Sequence, residues 1–189
     1  SLFFTKGNQE NLSFIFHIIK KLKLKNNQSI KAINKFRGLK YRQEIIYKNS
    51  KICCINDSKA TSFSSSIDII QSKEKVFWIV GGIPKLGDKF YLSKNNCKNI
   101  KAYIFGKNKQ FFIKQFKNKI SYYYAKNLKT IIQKILHDIK SSKSNLHKTI
   151  LFSPSAASFD TFSNFEERGD YFNFLLKKYK VKKTINAII

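Results

Sequence analysis

A short, wholly apolar run that leads straight into a polar, serine-rich loop and then into an amphipathic segment leaves a chain few folds to choose from. Here the run is Thr149-Ile150-Leu151-Phe152, and the loop runs from Ser153 to Asp170 and reads SPSAASFDTFSNFEERGD. Phe172, Leu175, Leu176 and Tyr179 then follow at helical spacing. A buried strand that empties through a loop into a helix is the unit of open α/β sheets, whose ligands sit beyond the carboxyl ends of the strands. This loop offers Ser153, Ser155, Ser158, Thr161 and free backbone N–H groups to an anion or carboxylate. The same residues have a purely structural use as well. Ser163 with Glu166 three residues on reads as a capping box for the last helix, and Pro154 stiffens the exit from the strand.

The rest of the chain repeats the alternation. Leu12, Ile15, Phe16, Ile19 and Leu22 recur at helical spacing, and Ile30, Ile33 and Phe36 mark a shorter helix after Asn26-Asn27-Gln28-Ser29. This helical hairpin is too small to bury both its faces and is expected to pack on something outside the chain. Arg37-Gly38-Leu39 breaks the pattern, which places a domain boundary near Gly38 and divides the chain into 1–37 and 38–189. Beyond it, Glu44 to Tyr47 and Lys51 to Ile55 read as a β-hairpin around Lys48-Asn49-Ser50. Asn56-Asp57-Ser58-Lys59-Ala60-Thr61 follows, then a helix carried by Phe63, Ile67 and Ile70. Strands at Val76 to Val80 and Ile100 to Phe105 end in Gly81-Gly82 and Gly106, and Leu128, Ile131, Ile132, Ile135, Leu136 and Ile139 form a clear amphipathic helix. Strands alternating with helices imply an α/β fold, a Rossmann-like, mostly parallel sheet covered by helices on both faces.

Composition narrows the function. The formal charge of +26 would suit nucleic acid, but Arg37, Arg42 and Arg168 are the only arginines, and lysines are scattered over every segment. Grips on phosphate backbones tend to use arginine's bidentate fork, so diffuse solvated charge is the preferred reading. No apolar stretch approaches the roughly eighteen residues that cross a bilayer. The chain reads as soluble, and its first residue, Ser1, stands in mid-pattern, as expected of a piece of a longer protein. Cys53, Cys54 and Cys97 make no metal spacing; they suit a reducing compartment, and the adjacent pair reads as buried strand. Neither GxGxxG nor GxxxxGK[ST] occurs, and His17, His137 and His147 have no ligand spacing to one another.

Four short stretches carry a resemblance. SPSAASFDTFSNFEERG closely resembles SPACASFDQFKNFEQRG, the C-terminal signature of the bacterial Mur ligases that add D-glutamate to UDP-N-acetylmuramoyl-L-alanine. NDSKAT, Asn56 to Thr61, is the form that this branch carries, where other Mur ligases and the folylpolyglutamate synthetases differ. Gly81-Gly82-Ile83-Pro84-Lys85 resembles the family's GGxxK segment, although many members have an acidic residue where Ile83 stands. Towards the N-terminus, Phe36-Arg37-Gly38-Leu39 with Tyr41-Arg42 resembles FxGLxHR, with Tyr41 in place of the histidine.

The resemblance implies a function and a set of residues. Residues 1–37 would be the end of a central ATPase domain, and 38–189 the complete D-glutamate-binding domain. The substrate carboxylate is expected to attack the γ-phosphate of ATP, giving an acyl phosphate that the D-glutamate amine displaces, with Mg2+ neutralising charge. This fragment alone should be inactive, the phosphate loop and metal ligands lying upstream. By the same resemblance Lys85, Thr61, Lys59 and the Ser158 side chain bind D-glutamate, with Phe165 as a backbone N–H donor. Asp57 binds the ATP ribose, Arg42 approaches the phosphates, and Asn8 and Asn11 lie near the adenine, although Asn8 reads equally as a helix N-cap. Phe159 and Phe162 are expected in the core, and Glu166 and Arg168 on the helix surface or in ion pairs. The setting implied is bacterial cytoplasm and peptidoglycan precursor synthesis. Two other classes stay open, a non-catalytic glutamate- or nucleotide-binding module and a basic nucleic-acid-binding protein.

Overall fold

The computed structural model describes residues 6–36, 38–142, 144–181 and 183, with side chains described from residue 9 onward. The chain divides into two compact units, Ser1–Leu39 and Lys40–Ile189. In the first, helices α1 (Lys6–Lys21) and α2 (Asn26–Lys35) carry the two predicted apolar stripes, with residues 26–29 forming the first turn of α2 and not the stretch before it. Lysines close the last turn of each, where cations suit the negative end of the helix dipole. Two helices cannot enclose a core by themselves. Ile19 is buried at 8% exposure, whereas Phe14 and Leu22 remain 70% and 63% exposed.

The second unit is built on strands β1 (Glu44–Lys48), β2 (Ile52–Asn56), β3 (Lys75–Gly81), β4 (Ile100–Phe105), β5 (Ser121–Ala125) and β6 (Lys148–Phe152). They form one six-stranded sheet in the order β1-β2-β6-β3-β4-β5. The β1–β2 pair is an antiparallel hairpin with a register shift between Ile45 and Tyr47, and every other pairing is parallel. Helices α3 (Phe63–Gln71), α4 (Lys109–Phe116), α5 (Leu128–Lys140) and α6 (Phe165–Lys178) cover it. The Rossmann-like, mostly parallel α/β architecture is therefore present. Helix α4 and strand β5 add to the sequence reading. KQFFIKQF carries its helical signal only in Phe112 and Phe116, and SYYYA is a short edge strand with two exposed residues at its start.

Alternation along the central strands sorts the core into two layers. Phe77, Ile79, Tyr103, Phe105, Ile150 and Phe152 face α5 and α6; Val76, Trp78, Val80, Ala102, Ile104 and Leu151 face α3 and α4. Strands buried on both faces read as continuous apolar runs, which is why Cys53 and Cys54 are both enclosed, one in each layer. Helix α5 shows how sequence becomes packing. The Asn127 side chain caps the Thr130 N–H at 2.9 Å, and all six apolar residues of the predicted stripe are buried. Each contributes about 1.5–3 kcal/mol of burial.

Three local expectations need correcting. Phe159 is 70% exposed, because its loop turns outward before α6 begins, while Phe162 packs at the edge of the core. The helix cap falls one residue later than the Ser163–Glu166 pattern suggests. Asn164 Oδ1 accepts the Glu167 N–H at 2.7 Å, satisfying an orphan donor of the first turn, while Glu167 Oε2 reaches back past the cap to accept the Ser163 N–H at 2.7 Å. Arg168, finally, is not on the helix surface: it is 1% exposed.

Candidate functional site

Strand β6 lies between β2 and β3, and its neighbours send their connections to one face of the sheet while its own goes to the other. The segments after β2 and β3 place Phe63, Ile70 and Phe90 in the α3/α4 layer, whereas α6 places Phe172 and Leu175 in the α5/α6 layer. Such a reversal opens a crevice beyond the strand ends, the usual ligand position of an open α/β sheet. The loops that converge there are the three sequence motifs, NDSKAT after β2, SPSAAS after β6 and GGIPK after β3.

The last two loops are joined directly. Ile83 and Ala157 exchange backbone hydrogen bonds of 2.9 Å in both directions, an isolated antiparallel bridge across the crevice. Lys85 and Ser158 therefore sit two residues and one residue from a shared tie. Lys85 is exposed, and Ser158 is 3% exposed with its carbonyl accepting the Thr161 and Phe162 N–H groups. On the β2 side, Lys59 and Thr61 are exposed, and Lys59 Nζ stands 5.0 Å from the centroid of the Phe165 ring. Phe165 opens α6, so its N–H is among the donors that a helix leaves without an intrahelical partner. Four of the expected site residues, Lys59, Thr61, Lys85 and Ser158, thus belong to three adjoining loops on one edge of the sheet, and the fifth, Phe165, opens the helix that follows one of them.

Below them lies a layer of buried polar groups. Asp57 is 4% exposed, and both its oxygens are engaged within the chain: Oδ1 accepts the Gln43 N–H at 3.1 Å and Oδ2 the Ser153 hydroxyl at 2.7 Å. Ser66 of α3 continues the network to Ser153 and Ser155 at 2.6 and 2.7 Å, and Trp78 Nε1 donates to the Ser153 carbonyl at 2.8 Å. Burial pushes the Asp57 carboxyl up to about 6, against the hydrogen bonds from Ser153 and Gln43 and the charge of Arg42. Asn56, fully buried, ties β2 to α6 by donating to the Gly169 carbonyl and to Asn173.

Arg42 is exposed and its charge acts on Asp57. Tyr41, the departure from the family's histidine, is a connector. Its hydroxyl donates to Asp170 at 2.8 Å, its carbonyl accepts the Lys59 N–H at 3.0 Å, and its ring meets Phe165 edge-on. Gly169 makes room for that ring, since a Cβ there would strike it. Asn11 is exposed on α1 of the first unit, and the Asn8 side chain lies outside the described residues.

Sequence reasoning missed two components. Arg168 donates to three acceptors on the site loops, and Asp160 has both carboxylate oxygens buried without a hydrogen-bond partner among the described residues. The signal for Arg168 was its place in the EERG end of the signature, where an arginine beside a glycine on a core-facing helix position looks too polar to bury. Among the described residues no group of three or more His, Cys, Asp or Glu could hold a metal ion, and no helix is long and apolar enough to cross a membrane.

This geometry is that of a Rossmann-like, mostly parallel α/β domain, consistent with the domain that ends the Mur ligases. No family model matches the chain. Curated relatives do: a UDP-N-acetylmuramoylalanine–D-glutamate ligase of Wolbachia sp. subsp. Brugia malayi is 36% identical over 97% of this chain and 36% of its own length. Proteins of the same name from Wolbachia pipientis wMel and Francisella tularensis subsp. tularensis are 34% and 32% identical, over 94% and 95% of this chain and 35% and 43% of their own lengths. The chain is thus a homologue of the C-terminal part of UDP-N-acetylmuramoylalanine–D-glutamate ligases, and it spans between about a third and under half of the length of these relatives.

Proposed function

We propose that this chain is the D-glutamate-binding C-terminal part of an ATP-dependent ligase that joins D-glutamate to UDP-N-acetylmuramoyl-L-alanine in the bacterial cytoplasm, for peptidoglycan precursor synthesis. Residues 1–37 are the end of a central ATPase domain in this reading, and 38–189 the amino-acid domain. The observation that carries it is the convergence of Lys59 and Thr61, Lys85, and Ser158 and Phe165 on one crevice, with the Ile83–Ala157 bridge holding two of the loops together. D-glutamate brings two carboxylates, and an edge with two exposed lysines, hydroxyls and a helix N-terminus matches that charge.

The work of these residues is binding and orientation. Lys85 and Ser158 hold one carboxylate, Thr61 and Lys59 stand beside the ligand, and the Phe165 N–H supports the charge from the helix end. The amine is then presented to the acyl group that ATP activates as an acyl phosphate. Fixing an amine in line with its electrophile converts a bimolecular step into an effectively unimolecular one, worth up to ~7–11 kcal/mol. Asp57 and Arg42 take the ATP side, Asp57 with a carboxyl whose oxygens already hold Gln43 and Ser153 in place. Asn8 and Asn11 border the adenine. Mg2+ would be held by residues upstream of this chain.

Lys85→Ala in the complete ligase tests this reading. Removing one partner of a sheltered ion contact costs about 2–5 kcal/mol, so the D-glutamate KM rises or turnover falls by at least ~30-fold, and by ~100-fold from about 3 kcal/mol. A change below about threefold in both removes Lys85 from the site.

A further inference from the structure

One side chain that the proposed chemistry does not use bonds two of the site loops and borders the third. Arg168 projects from α6, where Nε donates to Ser58 Oγ at 3.1 Å, Nη2 to the Ser58 carbonyl at 2.6 Å and Nη1 to the Ala156 carbonyl at 2.9 Å. Ser58 immediately precedes Lys59, and Ala156 stands two residues before Ser158. The third loop comes in through Gly82, which has φ +124°; a Cβ there would lie 3.1 Å from Arg168 Nη1 and would collide with the Ala157 carbonyl. Gly82 opens the segment that carries Lys85 and is tied through Ile83 to Ala157. The guanidinium thus fills the space between the loops of Lys59, Ser158 and Lys85.

Charge and shape both suit this role. All three acceptors of Arg168 are neutral, and Asp160, with its two buried and otherwise unpartnered oxygens, supplies the negative charge that acts on it. A rigid fork with five donors reaches several fixed acceptors in set directions; a lysine ammonium at the same place is a compact point charge on a flexible stem.

We infer that Arg168 is the positioning and specificity-determining residue of this site: by fixing the spacing of the Lys59, Ser158 and Lys85 loops, it sets the separation at which two ligand carboxylates are held together. This rests on the reading of the crevice as the D-glutamate site. It follows that the frame matches the two-methylene spacing of glutamate and rejects aspartate, one methylene shorter.

The test uses this chain, titrated with D-glutamate and D-aspartate and followed by backbone amide shifts, in wild type, Arg168→Lys, Arg168→Met and, as a control in the opposite core layer, Phe116→Leu. One methylene is worth ~10-fold or more in a fitted site, so wild type prefers D-glutamate by at least that ratio. Both Arg168 variants lower the ratio below about threefold, whereas Phe116→Leu keeps it whatever its melting temperature. A ratio preserved in Arg168→Lys, or lost equally in Phe116→Leu, overturns the inference. If wild type shows no shift with D-glutamate, the functional reading fails, and hydrogen exchange decides the positioning role alone. Exchange at least ~10-fold faster at Ile83 and Ala157 in Arg168→Lys, with Trp78 and Leu151 unchanged, upholds that role; a uniform change or none refutes it.

Discussion

Asp57, at the ligand edge, and Asp138, on α5 away from it, are both shielded from solvent, and the structure treats them in opposite ways. Burial opposes the charge of Asp138 too, but Lys101 and Lys134 at 2.6 and 2.7 Å and the Tyr103 hydroxyl at 2.7 Å outweigh it, and hold its carboxyl well below the usual range. Asp57 has only an N–H and a hydroxyl against its oxygens, and burial wins. The body of the domain neutralises its buried charge on the spot. The ligand edge leaves a carboxylate and a set of hydroxyls short of countercharge, held by directional bonds in place of ion pairs. Ion pairs and directional polar bonds are thus assigned to different ends of the same sheet.

The largest effect that separates these ends should come from the body. Phe63 is fully buried among Trp78, Phe90, Phe111, Phe112 and Phe116, and Phe63→Ala should cost about 3–5 kcal/mol in denaturant unfolding. A cost under about 1 kcal/mol would mean that the aromatic cluster is not the stabilising half of the comparison.

Asp57→Asn should act next and with the opposite sign. A carboxyl raised in the folded state favours folding while protonated, so wild-type stability falls as pH rises from about 4 to about 6 and is level above that. Asparagine keeps the Gln43 bond and can donate to Ser153, so the variant should lose that slope and gain on the order of 2 kcal/mol above pH 6. Thermal unfolding across pH 4–7 reads both; an unchanged slope would assign the titration to another group.

Asp138→Asn gives the smallest and complementary shift. A lowered carboxyl contributes stability that is present above its unfolded pKa and lost as pH falls through the folded one. The variant should therefore be about 1–2 kcal/mol less stable than wild type at pH 7, with the difference closing in strong acid. Equal stability at pH 7 would show that the two lysines stabilise the folded chain without it.

Much of this division was written locally. The α5 stripe and the apolar runs of β3, β4 and β6 are periodic signals that packing had no reason to override, and the three ligand motifs sit on strand exits that the same signals locate. The failures fall where a residue's neighbours come from far along the chain. Phe159 looked apolar enough for the core, but its loop faces out; Arg168 looked polar enough for the surface, but Ser58 and Ala156 supply its acceptors. The cap shifted by one residue because the Asn164 side chain, not that of Ser163, accepts the N–H three residues on, while Glu167 reaches back to the Ser163 N–H.

The amino-acid sequence by itself determined the element types, the two-sided burial of the central strands and the place of the three motifs at strand exits, because each depends on period, composition or a short contiguous motif. Only the tertiary structure decided the strand order that sets β6 between β2 and β3, the bridge from Ile83 to Ala157, the buried serine network around Asp57 and the reach of Arg168 between the loops. Those depend on contacts between residues as far as 110 positions apart, and no local preference encodes which distant partner a hydrogen bond will find.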